Sequence, residues 1–493
     1  MQGWSSSMVI AAPTLADLSS TMRARIVPPA GRQQSAHLVG ICGAGMKALA
    51  ELLSSQGWRV TGSDAVLARR TSEVLLRRGL RVHQGHAVGH LPPDAQLLVY
   101  SPAVEESNPE RQQALQLGIP QYSYSQMLGQ LMASKIGISI AGTHGKSTTT
   151  AMTGCILTEA QLAPSVVFGA ELREFRVSGW SGTGPHFVAE SCEYQRSFLN
   201  LSPRLAAILS LEPDHFDCFS NFTETIDAFE QFARRLPEGG YLLIPEQSAA
   251  AKQASEQTVA EIETFSLQST ADWWASDIRR QGLGTRFRAF LRGEFFSEIW
   301  LQVPGTHNVL NALAAMALCH RAGLSAAAIR DGLAEFPGLK RRFEPLGSWR
   351  GVSLFDDYAH HPTEVRATLE TAREMFPDRR IWCVFQPHQV SRTAALFDEF
   401  SRSFGAVNEL LLTPIFAARE TVDQEPAELS RQLTDAVRVQ GVSARFSPSL
   451  DHTLATLDHD LRPGDVLFTM GAGDIGQIHY AFTRRLQRHH AAR

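Results

Sequence analysis

Three groups of residues in this chain have the types and spacing for phosphate chemistry. The first is GISIAGTHGKSTTTAM, residues 137–152. Ile136, Ile138 and Ile140 alternate as a strand, and a helix is predicted from Lys146. A glycine turn between them, Gly142-Thr143-His144-Gly145, aims backbone N–H groups and the positive helix end at an anion. Lys146 can then reach terminal phosphates, and Ser147 or Thr148 can ligate magnesium. The common G-x-x-x-x-G-K-[ST] pattern needs a glycine where Ile140 stands; here the glycine is Gly142. The pattern alone leaves a variant phosphate loop and a fortuitous turn both open, and the strand–turn–helix context favours the loop.

The second group is acids and histidines at predicted strand ends: AESCEYQRSF (Glu190, Glu193), LEPDHFD (Glu212, Asp214, His215, Asp217) and DDYAHHP (Asp356, Asp357, His360, His361). Ligands of α/β sheets bind where parallel strands end, and carboxylates there can hold magnesium. Any one cluster reads as surface and capping chemistry; three beside a phosphate loop read as a site. QPHQVSRT adds His388 and Arg392, suited to a carboxylate. The third group is glycine turns. GICGAG (Gly40, Gly43, Gly45) sits between strand and helix, with Asp64 ending the next strand, so it fits a phosphate-bearing ligand. Its spacing is wrong for the dinucleotide fingerprint. GAGDIG (Gly471, Gly473, Gly476) has the right spacing, but the chain ends 17 residues later with no acid following, so a tight turn is expected. His86 and His90 are spaced H-x-x-x-H without a neighbouring glutamate, and a surface loop is expected there.

Positioning these residues takes several sheets. The 493 residues exceed one core, and about three domains are expected. Residues 1–34, rich in Ser, Ala, Pro and Arg, read as a disordered extension. Residues 35–134 alternate strand and helix as a Rossmann-like domain; 135–345 form a central P-loop domain with a small antiparallel appendage within 262–303; 346–493 form a second Rossmann-like domain. The fold class is therefore three-domain α/β. Composition is 44% hydrophobic and 19% charged with net charge −4, which disfavours a nucleic-acid coat or an anionic membrane surface. No apolar run is long enough to insert in a membrane. Six scattered cysteines read as free, mostly buried thiols in a reducing cytoplasm. Of the 46 basic residues only five are lysines, one of them Lys146.

Taken together HLVGICGAGM, GSD, AGTHGKSTTT, AESCEYQRSFL, LEPDHFD, GTHNVLNALAA, KRRFE, DDYAHHPTEV, QPHQVSRT and GAGDIG resemble the Mur ligase family, over about residues 36–485. The family's loop runs G-T-H-G-K-[ST], which puts Gly142 in register. The resemblance implies ATP-dependent ligation of L-alanine to UDP-N-acetylmuramate, with ATP and Mg2+, in a cytoplasmic monomer or homodimer. It implies that Gly43, Ala44, Gly45, Asp64 and Ser101 hold the UDP end. Gly142, Thr143, His144, Gly145, Lys146, Ser147, Thr148, Asn308, Arg342 and Asp357 would serve ATP. Ser147, Glu190 and His215 would ligate the metal, and Tyr358, His361, His388 and Arg392 would line the amino-acid side. Lys146, Glu190, His215 and Asp357 would be catalytic. Two positions depart from the family pattern: Cys192 where some members carry Asp, and Gln389 where Arg is common. The alternatives are a family member that adds a tripeptide to the same sugar, an NAD-dependent oxidoreductase and a non-catalytic nucleotide-gated sensor; QPHQVSRT favours the alanine-adding member over the first.

Overall fold

The structure, a computed structural model, describes residues 34–67, 69–418, 420 and 425–482. The extension expected over residues 1–34 falls almost wholly outside them, as does the basic C-terminal TRRLQRHHAAR, expected as a solvated helix end.

Three sheets follow one another along the chain. In the first, five parallel strands lie in the order Arg81–Gln84, Arg59–Asp64, Ser35–Val39, Leu97–Tyr100, Gln121–Ser123. The order in which successive strands are added reverses at Ser35–Val39, and a crevice opens at such a switch point. The helix Ala44–Ser55 follows, its Met46, Leu49, Leu52 and Leu53 buried against the sheet. Its other side meets the central domain: the Ser178 amide donates to the buried Glu51 carboxylate at 3.0 Å. Caps fix the later helices of this unit. Asn108 accepts from the amides of Glu110 and Arg111 ahead of Pro109, and Ser123 and Gln126 form a reciprocal capping box.

The central sheet has ten strands, with Ile136–Ala141 between Leu205–Ile208 and His186–Glu190, all parallel. The expected antiparallel segment is present as Trp273–Gln281, Gly284–Leu291 and Glu294–Leu301. It extends the edge of this same sheet through pairing of Trp273 with Phe265. Behind the sheet the helices Lys146–Glu159 and Thr306–Arg321 pack into one core with Ile138, Ile140, Met152, Leu313 and Phe336.

In the third sheet Val352–Asp357, Val466–Met470, Ile381–Phe385 and Glu409–Leu412 run parallel, with Glu344–Trp349 antiparallel at one edge. GAGDIG is the expected tight turn: the Gly471 and Gly473 carbonyls accept from the Arg341 guanidinium. Among the described residues no helix is long and apolar enough to cross a membrane.

Candidate active site

The glycine turn at 142–145 sits at the C-terminal end of the central strand. Gly142 has φ +126° and Gly145 φ +79°, conformations that a side chain would strain. Space forbids one as well. A Cβ on Gly142 would lie 2.8 Å from the Leu209 nitrogen, and one on Gly145 2.3 Å from Asn311 Oδ1. The loop is tied to the neighbouring strand end, because Thr143 Oγ1 accepts from the Glu212 amide at 2.9 Å and Ser210 Oγ accepts from the His144 amide at 2.9 Å.

Lys146 points back into this turn. Its ammonium donates to the carbonyls of Gly142 and Thr143 and, at 3.0 Å, to Glu193 Oε1. Burial opposes the charge, but the Glu193 carboxylate outweighs it and holds Lys146 protonated well above the usual lysine range. Ser147 Oγ donates to Glu190 Oε2 at 2.8 Å, and the Gly169 amide donates to the same oxygen. A hydroxyl and a carboxylate side by side are hard oxygen donors, which suit magnesium. His215, with φ +53°, turns its Nε2 to 3.4 Å from Glu193 Oε1. Lys146, Ser147, Glu190 and His215 therefore share one cleft, in which Glu193 joins Lys146 to His215 and Glu190 holds Ser147.

The third domain reaches this cleft. His144 lies between two carboxylates, with Nδ1 3.2 Å from Glu364 and Nε2 3.5 Å from Glu212, the outer limit of a hydrogen bond. Burial disfavours its charge, yet bonding to Glu212 and Glu364 overturns that and pushes its pKa up to about 9. The same pairing brings Glu212 down to about 2, against its own burial. Thr363 Oγ1 donates to Glu212 at 2.7 Å, and His361 Nε2 donates to the Pro213 carbonyl at 3.2 Å. His361 also caps the helix Pro362–Met375, accepting from the Thr363 amide. The Arg342 guanidinium lies over the Tyr358 ring at 5.1 Å and 3.7 Å from Glu364. Asp357 accepts from the Phe343 and Ala359 amides, and burial raises its pKa to about 6 despite Arg342 and those two donors.

The residues expected on the amino-acid side divide. Arg392 and His388 meet at 3.1 Å, and His360 stands 5.9 Å from His388. His361 lies instead beside the phosphate loop, its ring 4.6 Å from that of His144. Asn308 donates to the Pro304 carbonyl and accepts from Asn311, which in turn accepts from Thr149 in the loop helix. Thr148 is buried in the same helix. In the first domain Gly43, Ala44 and Gly45 open the helix Ala44–Ser55, while Asp64 Oδ2 accepts from the Cys42 amide at 2.8 Å. Ser101 follows the adjacent strand, its amide bonded to the Val39 carbonyl. These five gather at three neighbouring strand ends around the switch point.

Likenesses to known families and proteins bear on this arrangement. Residues 35–136 match the Mur ligase family catalytic domain, 140–319 the Mur ligase middle domain and 341–473 the Mur ligase glutamate ligase domain. A UDP-N-acetylmuramate–L-alanine ligase from Desulfitobacterium hafniense is 42% identical over 90% of this chain and 98% of its own length. The chain belongs to the Mur ligase family. A ligase of the same name from Salinibacter ruber is 38% identical over 94% of this chain and 97% of its own length. Among solved structures, a UDP-N-acetylmuramate-alanine ligase from Thermotoga maritima superposes with TM-score 0.78 at 26% identity, covering 92% of this chain and all of the other. A murein peptide ligase from Psychrobacter arcticus superposes with TM-score 0.68, also at 26% identity, covering 92% of this chain and 98% of its own.

Several residues of this Mur ligase site carried no assigned role in the sequence. Glu193 was visible as the second acid of AESCEY, but nothing marked it as the partner of Lys146. Glu212, Asp214 and Glu364 join the domains through contacts 150 or more residues apart, which no local pattern reveals. His86 and His90 are not a plain surface loop. They lie 3.6 and 3.3 Å from the fully buried carboxylate of Glu110, which also accepts from Ser63 at 2.6 Å and pairs with His37 at 2.8 Å. Burial of the cysteines is less than expected: only Cys319 and Cys383 are buried.

Proposed function

We propose that this Mur ligase joins L-alanine to the lactoyl carboxylate of UDP-N-acetylmuramate at the expense of ATP, a step in building peptidoglycan precursors. The observation that carries the reading is Lys146, held charged in a glycine turn over which a third domain is clamped. The substrates follow from relatives that share the name UDP-N-acetylmuramate–L-alanine ligase over nearly their whole length.

In this reading the UDP end lies on Gly43, Ala44, Gly45, Asp64 and Ser101, and the sugar's carboxylate extends toward the central cleft. ATP phosphates lie in the turn from Gly142 to Thr148, with Lys146 leaving Glu193 to meet them. Ser147 and Glu190, with His215 beside them, would hold Mg2+, whose charge would offset the phosphoryl oxygens. The carboxylate attacks the γ-phosphate, giving an acyl phosphate and ADP. The amine of alanine, bound near Tyr358, His388 and Arg392, then attacks the activated carbonyl, loses a proton and expels phosphate. Both partners in the first step are anionic, so fixed positive charge from Lys146, Arg342 and the helix end lowers the barrier. Closure of residues 346–493 over 135–345 keeps water from the acyl phosphate.

The test is the mass of the UDP-sugar product formed with ATP, Mg2+ and UDP-N-acetylmuramate when L-alanine, glycine, L-serine or the tripeptide is supplied. The L-alanyl product is expected to form fastest. Preference for the tripeptide would overturn the substrate assignment.

A further inference from the structure

Cys192 lies just past the strand His186–Glu190, next to Glu193, and is exposed. One sulfur, one carboxylate oxygen and one imidazole nitrogen, from Cys192, Glu193 and His215, all lie within 4.8 Å of one another. Ligand atoms around a tetrahedral zinc ion are separated by about 3.3–3.8 Å, given bonds of 2.0–2.3 Å. The trio's outer limit exceeds that spacing by about 1–1.5 Å. A second observation points the same way. Glu193 is 2% exposed, Lys146 occupies its Oε1, and its buried Oε2 has no hydrogen-bond partner. A carboxylate oxygen left unpaired in the interior is costly, and a cation is one way to satisfy it.

The donor set differs from the one beside it. Ser147 and Glu190 offer hard oxygens, whereas thiolate and imidazole prefer borderline and soft cations such as Zn2+. We infer that Cys192, Glu193 and His215 form a second cation site, selective for thiophilic divalent ions, whose occupancy shuts the ligase off. Binding expels the thiol proton to solvent and forms metal–sulfur, metal–oxygen and metal–nitrogen bonds, leaving a fourth position for water. Resting on the ligase reading, the inhibition has two causes. The ion draws Glu193 from its pairing with Lys146, and it removes His215 from the magnesium side.

The experiment titrates Co2+ into the full-length protein and follows the near-ultraviolet charge-transfer absorption that marks a cobalt–thiolate bond. The wild type and Cys218→Ser should show the band, and Zn2+ should bleach it. Cys192→Ser should lose it while melting at the same temperature as wild type, and its zinc affinity should fall by more than the roughly 10–100-fold typical of losing an outer-shell partner. His215→Gln should weaken cobalt binding. Zinc inhibition, measured against each variant's own magnesium-supported rate, should be relieved in Cys192→Ser. No band in the wild type, or an equal band in Cys192→Ser, would overturn the site. Inactivity with magnesium alone would instead count against the ligase reading and leave the cobalt result standing.

Discussion

Arg392 of the third domain donates from Nε to Asp214 of the central domain at 2.7 Å, and both side chains are buried. Burial penalises the Asp214 charge, but His215 and Arg392 together hold its carboxyl far below the usual range. Removing one partner of a buried pair strands the other, at ~3–5 kcal/mol. Arg392→Met should therefore loosen the third domain from the central one, seen as faster proteolysis between them and a lower kcat/KM. The double variant Arg392→Met, Asp214→Leu should recover much of the domain contact. Equal losses in the single and double variants would count against the pairing.

Lys146→Ala should lower kcat by roughly 10²–10³, the scale of losing one preorganised donor to developing negative charge. Since Glu193 loses its partner, the melting temperature should fall too. Restoring the melt with Lys146→Ala, Glu193→Gln should leave kcat low, which separates chemistry from stability.

The parts of this site that were legible in sequence are local. The loop Gly142–Thr148, Glu190 and Asp357 stand at the ends of strands expected from sequence, the first of them marked by the alternation of Ile136, Ile138 and Ile140. The parts that were not legible depend on docking. The family resemblance implies an amino-acid-side role for His361, and in the structure it caps its own helix and bonds to Pro213, 148 residues away. Glu364 stands in the first turn of its helix, and docking of the third domain turns it toward His144. The antiparallel strands between 273 and 301 were visible as alternation, but their union with the central sheet rests on the pairing of Trp273 with Phe265.

His144 should make closure pH-dependent. Its pKa, raised from 6.5 to about 9, means that the charged form is favoured in the folded protein. The stabilisation is full below about pH 6.5 and is lost as pH rises through about 9. Thermal melts from pH 6 to 10 should fall across that window in the wild type. His144→Gln should flatten the fall; an unchanged slope would count against the clamp.

Gly145→Ala should damage the nucleotide site specifically. The new methyl meets Asn311 Oδ1, and the left-handed backbone costs about 1–2 kcal/mol. ATP affinity, followed by calorimetry, should drop while UDP-N-acetylmuramate affinity is retained. Equal loss of both would place the damage outside the loop.

The most direct measurement uses UDP-N-acetylmuramate labelled with oxygen-18 in its lactoyl carboxylate. Attack of that carboxylate on the γ-phosphate, followed by displacement by alanine, must leave one labelled oxygen in the released phosphate. Mass spectrometry of the phosphate should find it, dependent on Lys146 and on L-alanine. Unlabelled phosphate, or label appearing in AMP, would contradict activation through an acyl phosphate.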